Sequence, residues 1–458
     1  MQKMKNGKKV LSVCLSLAMA AGMLSTSAFA SWNVYGGSNN HNAVVTEAPT
    51  TPDKSGLDSY IQLHCTGSGW DGVDNVPVLQ TVNGTTYAYV LYDGYGASGA
   101  LVAKIRCAEN GGSSIVWTTD PYGTEGTSLN AKSGFQLSTP YLDDNGTPND
   151  ASDDTLYVGT ISQYDDYEGG EWLTGTGSKV MALTGLDQNK PTVTNVLTGI
   201  NGQINTPITT DGTYLYFGTW PGGSNAGTYY QVKLSDYSVK TFTPDSYGFY
   251  WAGAVSDGTN VYFGSDNGLL YWRSIADFDT TGGVLDLTDV ASDAGNVRST
   301  VMLDDGYLYF TTQGGYLWCC SYKDGLTVEW HIKLGATSTS TPTKVGDRIY
   351  VGYYSGFNAG GVQCVSADGS SVKTVVEGDG FPVQSSIVVM GDGTGTDYLY
   401  FNTNAQKGAG YCYSYDGGTT GSKVWGTTGD TYALGGMAID NGYAVFGNDY
   451  NHLYVVHD

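Results

Sequence analysis

Apolar and aromatic residues crowd into short runs that return along the chain: Thr86-Tyr87-Ala88-Tyr89-Val90, Leu156-Tyr157-Val158-Gly159, Tyr214-Leu215-Tyr216-Phe217-Gly218, Asn260-Val261-Tyr262-Phe263-Gly264, Tyr307-Leu308-Tyr309-Phe310, Arg348-Ile349-Tyr350-Val351-Gly352, Tyr398-Leu399-Tyr400-Phe401 and Tyr443-Ala444-Val445-Phe446-Gly447. The eight runs lie roughly 40 to 70 residues apart, the period of units that bury a core only by stacking on their neighbours. Each run is apolar at nearly every position instead of at alternate ones, so both of its faces should be covered. The unit from Thr341 divides most clearly, into strands at 341–345, 348–353, 361–366 and 371–376, with turn residues such as Gly346-Asp347 and Asp368-Gly369 between them. These features predict an all-β fold: a single β-propeller of four-stranded antiparallel blades. Blade starts near Pro77, Thr139, Thr206, Ala252, Ser299, Thr341, Val383 and Leu434 make eight, or seven if the loose unit between Pro77 and Trp117 is irregular. No helix is expected after residue 30.

A second pattern sits in the third and fourth strands. Gly315-Tyr316-Leu317-Trp318-Cys319-Cys320-Ser321-Tyr322-Lys323-Asp324-Gly325 runs on to Trp330, and Gly410-Tyr411-Cys412-Tyr413-Ser414-Tyr415-Asp416-Gly417 runs on to Trp425. This resembles the pyrroloquinoline-quinone (PQQ) type propeller repeat, with Trp117, Trp330 and Trp425 at its tryptophan position; the units near Leu183, Leu234, Leu270 and Val365 lack that residue. The resemblance spans residues 31–458. It also implies how the ring closes. Ser31-Trp32-Asn33-Val34-Tyr35-Gly36-Gly37 is a lone Trp-bearing segment, and the stretch from Leu434 to Val456 holds three strands. Residues 31–50 are therefore expected to contribute the closing strand of the last blade, pairing the N- and C-terminal strands and removing free sheet edges.

The chain begins with Lys3, Lys5, Lys8 and Lys9, an apolar run from Val10 to Leu24 and Ser25-Thr26-Ser27-Ala28-Phe29-Ala30, the pattern of a signal peptide over 1–30, cleaved near Ala30. A secreted or cell-surface protein without a membrane span is expected. With 44 acidic against 21 basic residues the formal net charge is −23, which excludes nucleic acid as a natural partner. A monomer is expected.

Three groups of residues could carry chemistry. Asp143, Asp144, Asn145, Asp150 and Asp153 gather oxygen donors in one loop, which suits calcium but equally suits a solvated turn like that at Asp392-Gly393-Thr394-Gly395. Cys65 and Cys107 are the candidate disulfide, permissible in an exported protein. Cys320, Cys364 and Cys412 each precede an aspartate by four residues and read as small packing residues. Trp172, Trp220, Tyr247, Tyr250 and Trp251 lie at or before blade starts, where loops gather on one face, and aromatic residues with polar tips favour interfaces.

The resemblance also implies an alternative, because the PQQ-type family includes calcium-dependent quinoprotein dehydrogenases in which two adjacent cysteines ring the cofactor. Cys319-Cys320 are adjacent, but neighbours in a strand point to opposite faces. No catalytic residue and no cofactor is expected; calcium is the ion the acidic loop would take, and the quinone is disfavoured. The reading favoured is an exported binding or scaffold module that engages a protein or a glycan through its loop face.

Overall fold

The computed structural model describes residues 31–63, 72–94, 99–131, 138–161, 164–168, 171–174 and 176–458, with the side chains of 164–168, 171–174 and 176 set aside. Eight four-stranded antiparallel sheets form an eight-bladed propeller. Blades 1 to 7 each use four strands in chain order, within 78–118, 141–201, 209–242, 255–286, 302–333, 343–379 and 388–426, with a separate two-stranded hairpin, Tyr164–Glu168 and Glu171–Thr174, inserted between the second and third strands of blade 2. The first strand of each blade lies innermost, along the central channel, and the fourth lies at the rim.

The uninterrupted apolar runs are the second strands, and their burial explains the lack of alternation. In blade 3, Leu215 and Phe217 pack toward blade 2 with Tyr157 and Val180, while Tyr216 between them packs toward blade 4 with Val261 and Phe263. Both faces of the strand are thus core. The blade 3 to 4 seam is an aromatic stack, with Tyr229 and Phe263 rings 3.8 Å apart and Phe249 edge-on to Tyr229 at 4.9 Å. Rim strands behave otherwise. Thr327–Lys333 alternates exposed and half-buried positions, because only one of its faces meets a neighbouring blade.

The glycine that ends several runs has a steric cause. A Cβ on Gly264 would stand 2.2 Å from Val297 Cγ1, and one on Gly447 would stand 2.3 Å from Val73 Cβ. Val297 and Val73 belong to the connections that enter the next blade, so the glycine leaves the gap through which the chain crosses. Ser and Thr hydroxyls tie neighbours together at the carbonyls of blade starts: Ser138 Oγ donates to Thr206 O at 2.7 Å, Thr311 Oγ1, from a second strand, to Ser340 O at 2.8 Å and Thr343 Oγ1 to Ile387 O at 2.7 Å. These bonds satisfy carbonyls that would otherwise face a dry seam.

Closure differs from expectation. The rim strand of blade 8 is Ile61–Gln62, antiparallel to His452–Val456 beside Tyr443–Gly447 and Ala438–Asp440. The N- and C-terminal parts of residues 31–458 do pair, but residues 31–50 do not supply the closing strand. They lie along the innermost strands instead. Trp32 O accepts from Leu79 N in blade 1, Asn33 O from Leu142 N in blade 2, Asn40 O from Leu303 N in blade 5 and Ala43 O from Val389 N in blade 7. Asn42 brackets Lys344 in blade 6, accepting from its N–H and donating to its C=O. Val44–Val45 then adds a parallel fifth strand to blade 7. Trp32, Val34, His41 and Ala43 are all buried. The apolar segment is aromatic and extended like a blade strand, yet its burial comes from the channel.

Two smaller differences follow. Lys54–Asp58 makes one helical turn capped by Asp53, whose carboxylate accepts from Gly56 N at 2.8 Å. Cross-strand register sets Cys319, not Cys320, beside Tyr309, matching Cys364 beside Tyr350 and Cys412 beside Tyr400. Blade 5 has one residue more between the paired cysteine and its acidic turn.

Candidate binding site at the channel mouth

Inner strands all run away from one face of the ring. The connections that start them, and those between second and third strands, gather on that face. Trp220 comes from a connection of the second kind in blade 3, and Tyr247, Tyr250 and Trp251 from the connection between blades 3 and 4.

Three of these aromatics meet. Trp220 is edge-on to Tyr250 with centroids 5.1 Å apart, and Tyr250 meets Trp251 at 4.7 Å. An ion pair between buried Asp266 and half-buried Arg298 holds them. Arg298 donates to both Asp266 oxygens at 2.7 Å, its guanidinium lies 4.4 Å from the Tyr250 ring, and Trp220 Nε1 donates to the same carboxylate at 3.2 Å. Burial alone would weaken the Arg298 proton's hold, but the Asp266 bond and charge together outweigh it and the pKa rises. A bidentate guanidinium–carboxylate pair fixes orientation as well as charge.

The backbone here is strained. Tyr247 and Trp251 have φ of 64° and 58°, a left-handed conformation that costs a bulky residue of order 1–3 kcal/mol. Neighbouring bonds enforce it. Tyr247 donates to Ser224 O and accepts from Gly227 N, each at 2.9 Å, while Trp251 O accepts from Gly253 N at 2.9 Å. Tyr247 itself stands half-buried on the face, apart from the Trp220–Tyr250–Trp251 contacts. Trp172 lies opposite Tyr167 in a hairpin between the second and third strands of blade 2; its side chain is outside the described residues.

Trp251 and Arg298 also border a cavity of about 70 Å³ on the channel axis, to which every blade contributes. Its walls include Asn75, Thr139, Asn205, Thr300, Thr339 and Ser385, with Tyr35 as the floor. Tyr35 Oη bonds Thr341 Oγ1 at 3.0 Å. Asn205 is 2 % exposed, and among the described residues neither its amide oxygen nor its amide nitrogen has a partner. Asn75 Oδ1 and Ser385 Oγ are buried and unpartnered in the same sense, although Asn75 Nδ2 donates to Leu91 O at 2.8 Å. Sequence reasoning missed these groups and the Asp266–Arg298 pair, because polar residues in connections look solvated until eight connections converge.

The other sequence-predicted residues are not brought together as sites. Asp143 and Asp144 accept from the backbone of Asn145 and Gly146 at 3.1 and 3.0 Å, and Asp150 accepts from Ser152 N and Oγ. Asn145 donates to the Asp153 carbonyl and Thr147 to the Asp153 carboxylate. The oxygens thus close a turn, as Asp392 does for Thr394. Among the described residues no three His, Cys, Asp or Glu side chains converge as metal ligands. Cys107 is a buried free thiol pushed up to about 12 by burial; Cys65 lies outside the described residues. Cys319 and Cys320 belong to opposite sides of blade 5, one packed with Ile349 and Val351, the other with Val255 and Leu270.

Among the described residues no helix is long and apolar enough to cross a membrane. No protein-family model matches the sequence, and no curated protein is significantly similar to it. The fold is similar to BamB of Moraxella catarrhalis (TM-score 0.52, 13 % identity, 88 % of this chain and 97 % of that one). It is also similar to Sqt1 of Saccharomyces cerevisiae (0.50, 12 %, 90 % and 99 %) and to the quinohemoprotein alcohol dehydrogenase of Comamonas testosteroni (0.56, 10 %, 91 % and 76 %). At these identities what is shared is the propeller fold.

Proposed function

We propose that the chain is an exported propeller of the PQQ-type repeat class, released by cleavage near Ala30, that works as a monomeric binding module for a protein or glycan. The observation that carries this reading is the Trp220–Tyr250–Trp251 cluster held by the Asp266–Arg298 pair at the channel mouth. Rigid aromatics give contact area at little entropic cost, and a strained backbone maintained beside a cavity is a common mark of a working site.

The quinone alternative is disfavoured by donor chemistry. The quinone carries three carboxylates, whereas Arg298 is the one cation among the described cavity residues and is already paired with Asp266. The residues present do not fit it. Burial pushes the Cys319 thiol up to about 12, so it is no ready redox group at neutral pH.

Capture from a glycan array and from a panel of purified surface proteins, with Trp220→Ala and Trp251→Ala beside the wild type, tests the binding reading. Capture should fall at least tenfold in both variants while the melting transition stays cooperative. Unchanged capture by both would overturn the assignment of the face. Quinone with calcium should leave no bound chromophore; dye-linked alcohol oxidation would establish the alternative.

A further inference from the structure

The axial cavity holds more unsatisfied hydrogen-bonding capacity than a packed core tolerates. Asn205 presents both a donor and an acceptor without partners among the described residues, and Asn75 Oδ1 and Ser385 Oγ add an acceptor and a hydroxyl. A buried polar group left without a bond costs about 1–3 kcal/mol, so side chains kept in this state point to something that satisfies them. The volume of about 70 Å³ corresponds to roughly five water-sized groups. That is room for one small molecule entering from the mouth.

Charge and shape narrow its class. Among the described lining residues Arg298 is the one cation and both oxygens of Asp266 neutralise it, while Asp74 adds a carboxylate, so an anion is disfavoured and a group that can donate to oxygen is favoured. An amide is matched by a group that donates and accepts at once, as vicinal hydroxyls do. Trp251 at the border offers an apolar face to C–H groups on the other side of such a ligand. We infer that the axial cavity is a binding site for a neutral polyhydroxylated ligand, a polyol of about glycerol's size or the hydroxyl edge of a sugar unit whose remainder stays at the mouth, held by Asn205, Asn75 and Ser385. This deepens the binding reading of the loop face by naming what enters at its centre.

The test is titration calorimetry, with saturation-transfer NMR, on the purified protein using glucose, galactose, mannose, N-acetylglucosamine and glycerol. Glucose 6-phosphate, glucuronate and calcium serve as charged controls. At least one neutral sugar or polyol should bind, with affinity falling at least tenfold in Asn205→Leu and at least threefold in Ser385→Ala. Leucine matches the amide in size without its polar atoms, so Asn205→Leu should melt no lower than the wild type. If it fails to fold, Ser385→Ala decides alone. Preference for a charged control, equal affinity in a folded variant, or water as the sole occupant at millimolar sugar would overturn the proposal. Loss of free-sugar binding in Asn205→Leu with partner capture intact would separate the cavity from the loop face. Loss of capture in Trp220→Ala alone would leave the cavity standing.

Discussion

The channel is finished in opposite ways at its two depths. Residues that line the cavity at the mouth, such as Val76, Thr139, Thr300 and Ser385, lie three to four positions before Leu79, Leu142, Leu303 and Val389, which bond residues 32–43 further down. At the lower level most bonds run backbone to backbone, the Asn42 amide bracketing Lys344, and Trp32, Val34 and Ala43 fill the space. At the upper level side chains carry the polarity, and several are unpartnered among the described residues. The difference teaches that the N-terminal segment does for the inner strands what a neighbouring strand would do, while the mouth keeps its capacity for something else.

If the lower level is structural and the upper one functional, substitutions of the same kind should diverge. Trp32→Ala should cost about 3–5 kcal/mol in denaturant melts, the loss typical of a buried tryptophan. Trp251→Ala, half-buried and relieved of a left-handed backbone only in part, should cost less than about 1 kcal/mol. Equal costs would erase the distinction.

A pH series sharpens it. Burial pushes His41 down to about 4, against the pull of the Val301 carbonyl that its Nδ1 meets at 3.0 Å. Folded His41 is neutral while the unfolded side chain protonates below 6.5, so its contribution is complete above pH 6.5 and is lost as pH falls toward 4. Asp154 and Asp440, pushed up to about 6 by burial, act in the opposite sense over the same window. The informative quantity is therefore wild type minus His41→Asn. That difference should shrink by on the order of 3 kcal/mol between pH 7 and pH 4, and a flat difference would mean that His41 is not enclosed.

At the mouth, Asp266→Ala strands the Arg298 charge and unmoors Trp220 and Tyr250. Discounting for the partial exposure of Arg298, a loss of about 2 kcal/mol is expected, together with weaker capture. The smallest of the remaining effects belongs to the seam between blades. Gly264→Ala must displace Val297, an overpacking cost of about 1–2 kcal/mol seen in chemical melts, with capture unchanged.

Much of the ring was legible because each blade repeats one physical problem. A strand covered on both faces reads as an unbroken apolar run, a crossing connection demands glycine, and seams without water demand Ser or Thr at blade starts. The closing strand was not legible, since Ile61–Gln62 offers two residues and no periodicity. Trp32 misled for the same reason that it matters: a segment buried in a channel has the composition of one buried in a blade. The register of Cys319 was hidden by the longer turn that follows it in blade 5. Tyr250 and Trp251 could be proposed from their place before a blade start; Trp220, expected there too, lies instead between the second and third strands of blade 3, and Asn205 could not be proposed, since nothing in its neighbourhood of sequence announces burial.

The long reach of residues 32–62 has a consequence for biogenesis. Their partners include Val389, Leu453 and the Asp458 carboxylate, which accepts from Thr50 N and Thr51 N across separations of 408 and 407 residues. A ribosome delivers this segment several hundred residues before its distal docking surfaces. Sheets in the middle of the polypeptide can assemble as they emerge, but contacts of such sequence separation form late. Until then residues 32–62 must wait undocked, and an apolar stretch in that condition is a natural client for chaperones.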